Sequence, residues 1–224
     1  MKKFYIAIVL LTLYLAIPNI GKTATALQYE QTAVVKISGS DLRRPPKKIK
    51  RSERLEVIDF TEKITSRMAH HFQGLKSIDL RQCDGLKKIC PGAFECCRFL
   101  EGVHLPPGVL TIGARAFRNC FHLGSLNLED CKDLRELGCN AFEGCAALVE
   151  LRFPGSLEIV GKECFMYCDL LESVDFSPCV NLRLMGEPTF DFCEKLKSVM
   201  FSQRFHFGEG IFVNCPSLRV RFAV

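Results

Sequence analysis

From Leu75 onward the chain copies itself. Six segments, 75–80, 100–105, 123–128, 148–153, 171–176 and 196–201, read Leu-x-x-φ-x-φ with φ apolar, and a shortened seventh starts at Leu218. The leading leucines lie alternately 25 and 23 residues apart, with 22 before the last, so the deeper period is 48. Six residues before each following leucine stands a phenylalanine: Phe94, Phe117, Phe142, Phe165, Phe190 and Phe212. Three residues after each phenylalanine stands a cysteine: Cys97, Cys120, Cys145, Cys168, Cys193 and Cys215. A glycine precedes five of these phenylalanines by four positions (Gly113, Gly138, Gly161, Gly186, Gly208), Cys90 replacing it in the first unit. The longer units add Cys83, Cys131 and Cys179.

Such a period dictates an architecture. The Leu-x-x-φ-x-φ segment alternates like a half-buried strand, and some 20 residues return the chain to an equivalent start. Stacked in register, the strands form a parallel sheet on one face, with like residues over like. One turn cannot bury its own apolar side, so its neighbours supply the core. With strands about 4.8 Å apart, seven turns give a rod roughly 30 Å long. The six phenylalanines then form an aromatic file through the interior, lined by the six cysteines.

These residues resemble the BspA-like class of leucine-rich repeats, whose unit reads roughly Leu-x-x-Ile-x-Leu-Pro-x-x-Leu-x-x-Ile-Gly-x-x-Ala-Phe-x-x-Cys. Residues 100–106 and 111–120 follow it nearly throughout, ending in Gly113-Ala114-Arg115-Ala116-Phe117-Arg118-Asn119-Cys120. The resemblance covers 75–224 and implies a leucine-rich-repeat solenoid: parallel β-sheet on one face, short strands, turns and short helical turns on the other, about seven turns in all. It implies an adhesion-type binding scaffold without a cofactor. Residues 55–74 resemble it weakly, as a degenerate repeat or N-terminal cap that includes His70 and His71.

The first 54 residues read differently. Lys2-Lys3, the apolar run 4–17 and Ala24-Thr25-Ala26 have the layout of a secretory signal peptide cleaved after Ala26. Fourteen apolar residues span about 21 Å as a helix, short of the ~30 Å hydrocarbon core; an uncleaved anchor is the alternative. Residues 27–54 hold eight Lys/Arg against three acids, including Arg43-Arg44-Pro45-Pro46-Lys47-Lys48-Ile49-Lys50-Arg51. Proline and like charges predict a mobile lead-in, open to reading as a tether, a processing site or an inert spacer. Of the total charge of +5, residues 1–54 carry +8, which leaves −3 for residues 55–224. A nucleic-acid-binding body is therefore not expected.

Thirteen cysteines are an odd number, so not all can pair within one chain. Export favours disulfides. Yet Cys83, Cys131 and Cys179 fall on alternate turns, roughly 10 Å apart and beyond disulfide reach. The Phe-x-x-Cys series is expected to be buried thiols acting as small hydrophobes. Pairing, if any, falls to Cys90, Cys96, Cys139 or Cys164. No Cys-x2-Cys pair occurs, so zinc is not expected.

Catalytic signatures are missing too. There is no Gly-x-Ser-x-Gly elbow, His-Glu-x-x-His or glycine-rich phosphate cradle; 155–162 imitates the last with wrong glycine spacing. What remains is the outward face of the sheet. Its columns comprise Lys76, Glu101, Glu172 and Lys197; then Glu150 among small residues; then Asp79, His104, Asn127, Arg152, Asp175 and Met200. A protein or glycan ligand is the expected partner. Self-association through the final strand, 218–224, is the other expectation, because an open apolar edge invites pairing.

Overall fold

The computed structural model describes residues 34–37 (backbone only), 54–57, 62–66, 73–202, 205 and 208–223. The signal-like segment, the basic run 43–51 and His70-His71 lie outside the described residues. The rest is a parallel β-solenoid. Its main face carries β1 (Val34–Ile37), β2 (Arg54–Val57), β4 (Ser77–Asp79), β6 (Gly102–His104) and β8 (Ser125–Leu126) as one sheet. A second sheet continues this face with β10 (Glu150–Arg152), β12 (Ser173–Phe176), β14 (Ser198–Phe201) and β15 (Arg219–Phe222). Each Leu-x-x-φ-x-φ segment supplies one strand, and its apolar positions turn inward: Leu75, Ile78 and Leu80 are buried, as are Leu100, Val103 and Leu105.

The far side has the expected short strands and turns but lacks the expected short helical turns. It is a six-stranded parallel sheet of two-residue strands: β3 (Lys63–Ile64), β5 (Lys88–Ile89), β7 (Thr111–Ile112), β9 (Glu136–Leu137), β11 (Ile159–Val160) and β13 (Leu184–Met185). Instead of short helical turns, the only complete helical element among the described residues is a 3-10 turn, Leu128–Asp130. The backbone explains the difference. Residues two before and two after the repeated phenylalanine are left-handed: Arg115 and Asn119 at φ 56° and 58°, Asn140 and Gly144 at 57° and 71°, Glu163 and Tyr167 at 57° and 59°. A left-handed residue every fourth position stops a helix, and it turns alternate amides outward along the stack. Phe94 N–H donates to the Ala116 carbonyl, Phe117 N–H to Ala141 and Phe142 N–H to Cys164, each one turn onward. Arg115, Asn119, Asn140 and Gly144 donate onward in the same way. This wall is therefore a third ladder of backbone hydrogen bonds, built from turns rather than strands.

The glycine four before the phenylalanine exists for close approach. A Cβ on Gly161 would lie 2.4 Å from the Cys139 backbone nitrogen, on the turn before.

One strand lies outside the array read from the sequence. Val34–Ile37, assigned by composition to a mobile lead-in, is a strand paired in parallel with β2. Its Val-Val-Lys-Ile run has strand character that the neighbouring charges obscured. In the 55–74 region, β2 pairs with β4 and β3 with β5, so its described parts follow the course of a solenoid turn.

Inside, five repeat phenylalanines are fully buried, and Phe212, in the last turn, is half-buried. They stack face to face at 5.1 Å (Phe94–Phe117), 5.3 Å (Phe117–Phe142), 5.5 Å (Phe142–Phe165), 5.3 Å (Phe165–Phe190) and 5.5 Å (Phe190–Phe212). A second file, Phe153–Phe176–Phe201, comes from the ends of the later main strands and meets the first through a tilted Phe153–Phe165 contact.

Candidate binding surface

The strand register sets the outward columns. Arg54, Ser77, Gly102 and Ser125 are successive partners, as are Glu150, Ser173, Ser198 and Arg219. Beside them run Glu56, Asp79 and His104, then Arg152, Asp175, Met200 and Arg221. Sequence reading started the array at Leu75 and ended it at a stub, so it missed Arg54, Glu56, Arg219 and Arg221.

The candidate residues are not equally available. Glu101, Glu150, Arg152 and Met200 are exposed. Asp79 is held by Arg81, whose guanidinium lies 2.6 Å from it, and this hydrogen bond keeps the Asp79 carboxyl below its ordinary range. Glu172 lies 2.8 Å from the Lys197 ammonium, and that bond lowers its carboxyl in the same way. The Asp175 carboxylate accepts from the Ser177 amide at 2.8 Å. Lys76 and His104 are half-buried.

Asn127 leaves its column. Its side-chain oxygen accepts from the Leu105 amide at 2.8 Å and its side-chain nitrogen donates to the Leu105 carbonyl at 3.1 Å. The amide thus takes the place of strand backbone while the chain enters the 3-10 turn, and the main face splits in two between β8 and β10. Asn127 is a structural group, not a free contact.

The cysteines resolve as thiols with one repeated job. Cys120 Sγ donates to the Phe94 carbonyl at 3.1 Å, Cys145 to Phe117 at 3.2 Å, Cys168 to Phe142 at 3.4 Å, Cys193 to Phe165 at 3.1 Å and Cys215 to Phe190 at 3.0 Å. Cys83 reaches Val57 at 3.6 Å and Cys179 reaches Pro154 at 3.3 Å, both one turn back, whereas Cys131 bonds Asn127 within its own turn at 3.5 Å. Burial pushes the Cys97, Cys131, Cys179 and Cys193 thiols up to about 12 and Cys215 to about 11. It raises Cys120, Cys145, Cys164 and Cys168 as well. A thiol so shifted is no nucleophile near neutral pH. Cys90, Cys96, Cys139 and Cys164 form no disulfide.

Among the described residues the surface has depressions, two of which bear on ligand binding. One of about 430 Å³ is lined by Ser66, Pro91, Gly92, Glu95, Ala114, Arg115, Asn140 and the exposed Cys139, with no histidine among its described lining residues. The other, about 230 Å³, lies on the main face between Arg54, Glu56, Ser77, Asp79, Arg81 and His104. Among the described residues, no three His, Cys, Asp or Glu side chains converge as a metal site.

Sequence reading also missed a ridge of exposed apolar side chains outside the sheet face: Phe99, Phe121, Tyr167, Leu170 and Phe192. All five lie within two residues of a ladder cysteine, Tyr167 and Phe192 directly preceding one, which is the signal that would have found them.

Comparison with known proteins agrees with this geometry. The model of the BspA type leucine rich repeat region matches residues 48–136 and 130–222, with six copies. The crystal structure of the T. pallidum leucine rich repeat protein superposes with a TM-score of 0.59 at 30% identity, over 66% of this chain and 69% of that one. A leucine-rich repeat protein from Bacteroides ovatus superposes with a TM-score of 0.55 at 25% identity, over 66% of this chain but 37% of that one. No curated protein matches the chain.

Proposed function

The chain belongs to the BspA-type leucine-rich repeat family, and on that footing we propose that it is an exported, non-enzymatic module that binds a protein or glycan against the outer face of its main sheets. The register of that face carries the reading. Small residues (Ser77, Gly102 and Ser125, then Ser173 and Ser198) run beside charged ones, Glu56 and Asp79 on the first sheet and Arg152, Asp175 and Arg221 on the second. A preformed rigid surface loses little conformational freedom when a partner docks. Arg152 and Met200 are the anchors, since interface energy concentrates in such side chains. Lys2-Lys3, the apolar run and Ala24-Thr25-Ala26 support export. Among the described residues no helix is long and apolar enough to cross a membrane. Buried thiols with raised pKa and the missing catalytic signatures support a role without catalysis.

A structural component assembling through β15 is the rival. Phe222 is exposed there, but Arg219 and Arg221 also face out, and pairing two such edges would crowd four guanidinium groups. Affinity capture from extracellular material, comparing residues 27–224 with the Glu150→Lys/Arg152→Glu variant, tests the binding reading. The expected result is a partner retained by the wild type and lost by the variant. Identical capture by both removes the sheet face as the contact surface.

A further inference from the structure

The residues directly after the first five ladder cysteines form a second column, exposed except at the half-buried Ala146, and its chemistry reverses along the stack; Pro216 follows the sixth. Turn by turn it reads Arg98, Phe121, Ala146, Asp169, Glu194: cation, ring, methyl, anion, anion. The next column reads Phe99, His122, Ala147, Leu170, Lys195. Phe99, Phe121 and Leu170 are 58%, 42% and 40% exposed. The two columns are in register: Phe99 stacks on His122 at 6.5 Å, the Arg98 guanidinium stands 6.0 Å from the Phe121 ring, and the Leu170 amide donates to the Ala146 carbonyl. Among the described residues, Arg98, Asp169 and Glu194 form no ion pair.

We propose that this ridge is a self-complementary surface on which a second copy of the chain docks antiparallel, about a two-fold axis crossing the ridge at Ala146 and Ala147. The argument is charge and size complementarity. A two-fold axis lying in the contact plane reverses the stacking direction, so the first turn faces the fifth and the second faces the fourth. Arg98 of one copy then meets Glu194 of the other, Phe99 meets the Lys195 ammonium, and Phe121 meets Asp169, each twice. At the axis, where each column faces itself, stand the two smallest side chains of the ridge, which let the turns approach. A parallel pairing would set Arg98 on Arg98 and Glu194 on Glu194. Arg98 and Glu194 lie four turns apart, about 19 Å, so a copy contributes some ten side chains, where a standard interface uses roughly 20–30 a side. The dimer is therefore weak and concentration-dependent. The main sheet face stays free for another partner.

Sedimentation velocity on residues 27–224, from micromolar to about 500 μM, tests this, with circular dichroism confirming that each surface variant is folded. The wild type shifts from monomer to dimer over that range. Arg98→Glu and Glu194→Arg each weaken the dimer about tenfold or more, and the double variant, which restores both ion pairs in reverse, returns it to nearly wild-type strength. Ala146→Cys, which sets two introduced thiols against each other at the axis, gives a disulfide-linked dimer on mild oxidation at a yield well above the wild type, whose Cys139 is the background. A wild type that stays monomeric at every concentration overturns the proposal. So does a dimer indifferent to both reversals, or a double variant no tighter than the singles.

Discussion

The Cys145 thiol reaches back one turn to the Phe117 carbonyl, 3.2 Å away, and that carbonyl already accepts the Cys120 amide. The cysteine of the repeat thus occupies the second lone pair of a buried oxygen, which alanine in the same volume cannot do.

Cys145→Ala removes this donor together with a buried sulfur. Because the carbonyl keeps its backbone partner, the loss is moderate, about 1–2 kcal/mol. Urea denaturation followed by circular dichroism reads it; an unchanged midpoint would show that the thiol contributes neither a bond nor packing.

Alkali should unfold the protein early. Cys97, Cys131, Cys179 and Cys193 titrate near 12 when folded, because burial disfavours their thiolates, against about 9 when unfolded. A raised folded pKa means that the stability is whole below the unfolded value and falls as pH climbs from about 9 towards 12. Each such thiol removes about 1.4 kcal/mol per pH unit in that window. The denaturation midpoint should therefore drop steeply between pH 9 and 11; a flat profile contradicts buried, protonated thiols.

Phe142→Ala opens the middle of the aromatic file, between rings centred 5.3 and 5.5 Å away. The expected cost is about 3–5 kcal/mol. Phe99→Ala, at an exposed ring, should change stability by less than about 0.5 kcal/mol. Equal effects from the two would invert the assignment of inside and outside.

Gly161→Ala and Gly102→Ala form a matched pair. The first drives a methyl to 2.4 Å from backbone on the preceding turn and should abolish cooperative folding. The second meets nothing closer than the Ser125 Cβ at 3.7 Å and should be tolerated. Thermal melts of both decide whether turns approach as closely as described.

The sequence announced the solenoid because a solenoid superimposes like on like: the Phe94–Phe212 file and the buried Cys97–Cys193 set follow from spacing alone. What spacing could not disclose was conformation between the spaced residues. Left-handed Arg115, Glu163 and Tyr167 are unremarkable as letters, so short helical turns were expected beside the short strands of the far side. Asn127 looked like one more outward residue, because nothing in a column of letters marks an amide standing in for backbone. Val34–Ile37 was hidden by the basic run that follows it, and the Arg98–Glu194 column by a search confined to the sheet face.

The wall of left-handed turns has a directional consequence. In the four turns holding Gly92, Arg115, Asn140 and Glu163, amides such as those of Arg115, Phe117 and Asn119 point towards the following turn, and carbonyls such as those of Ala114, Ala116 and Arg118 point back. Three peptide dipoles per turn therefore align with the axis, about 10 D per turn. Their sum has its positive pole at the late turns, the reverse of an α-helix running the same way, so this fold carries a standing electric polarity along its length before any charged side chain is counted.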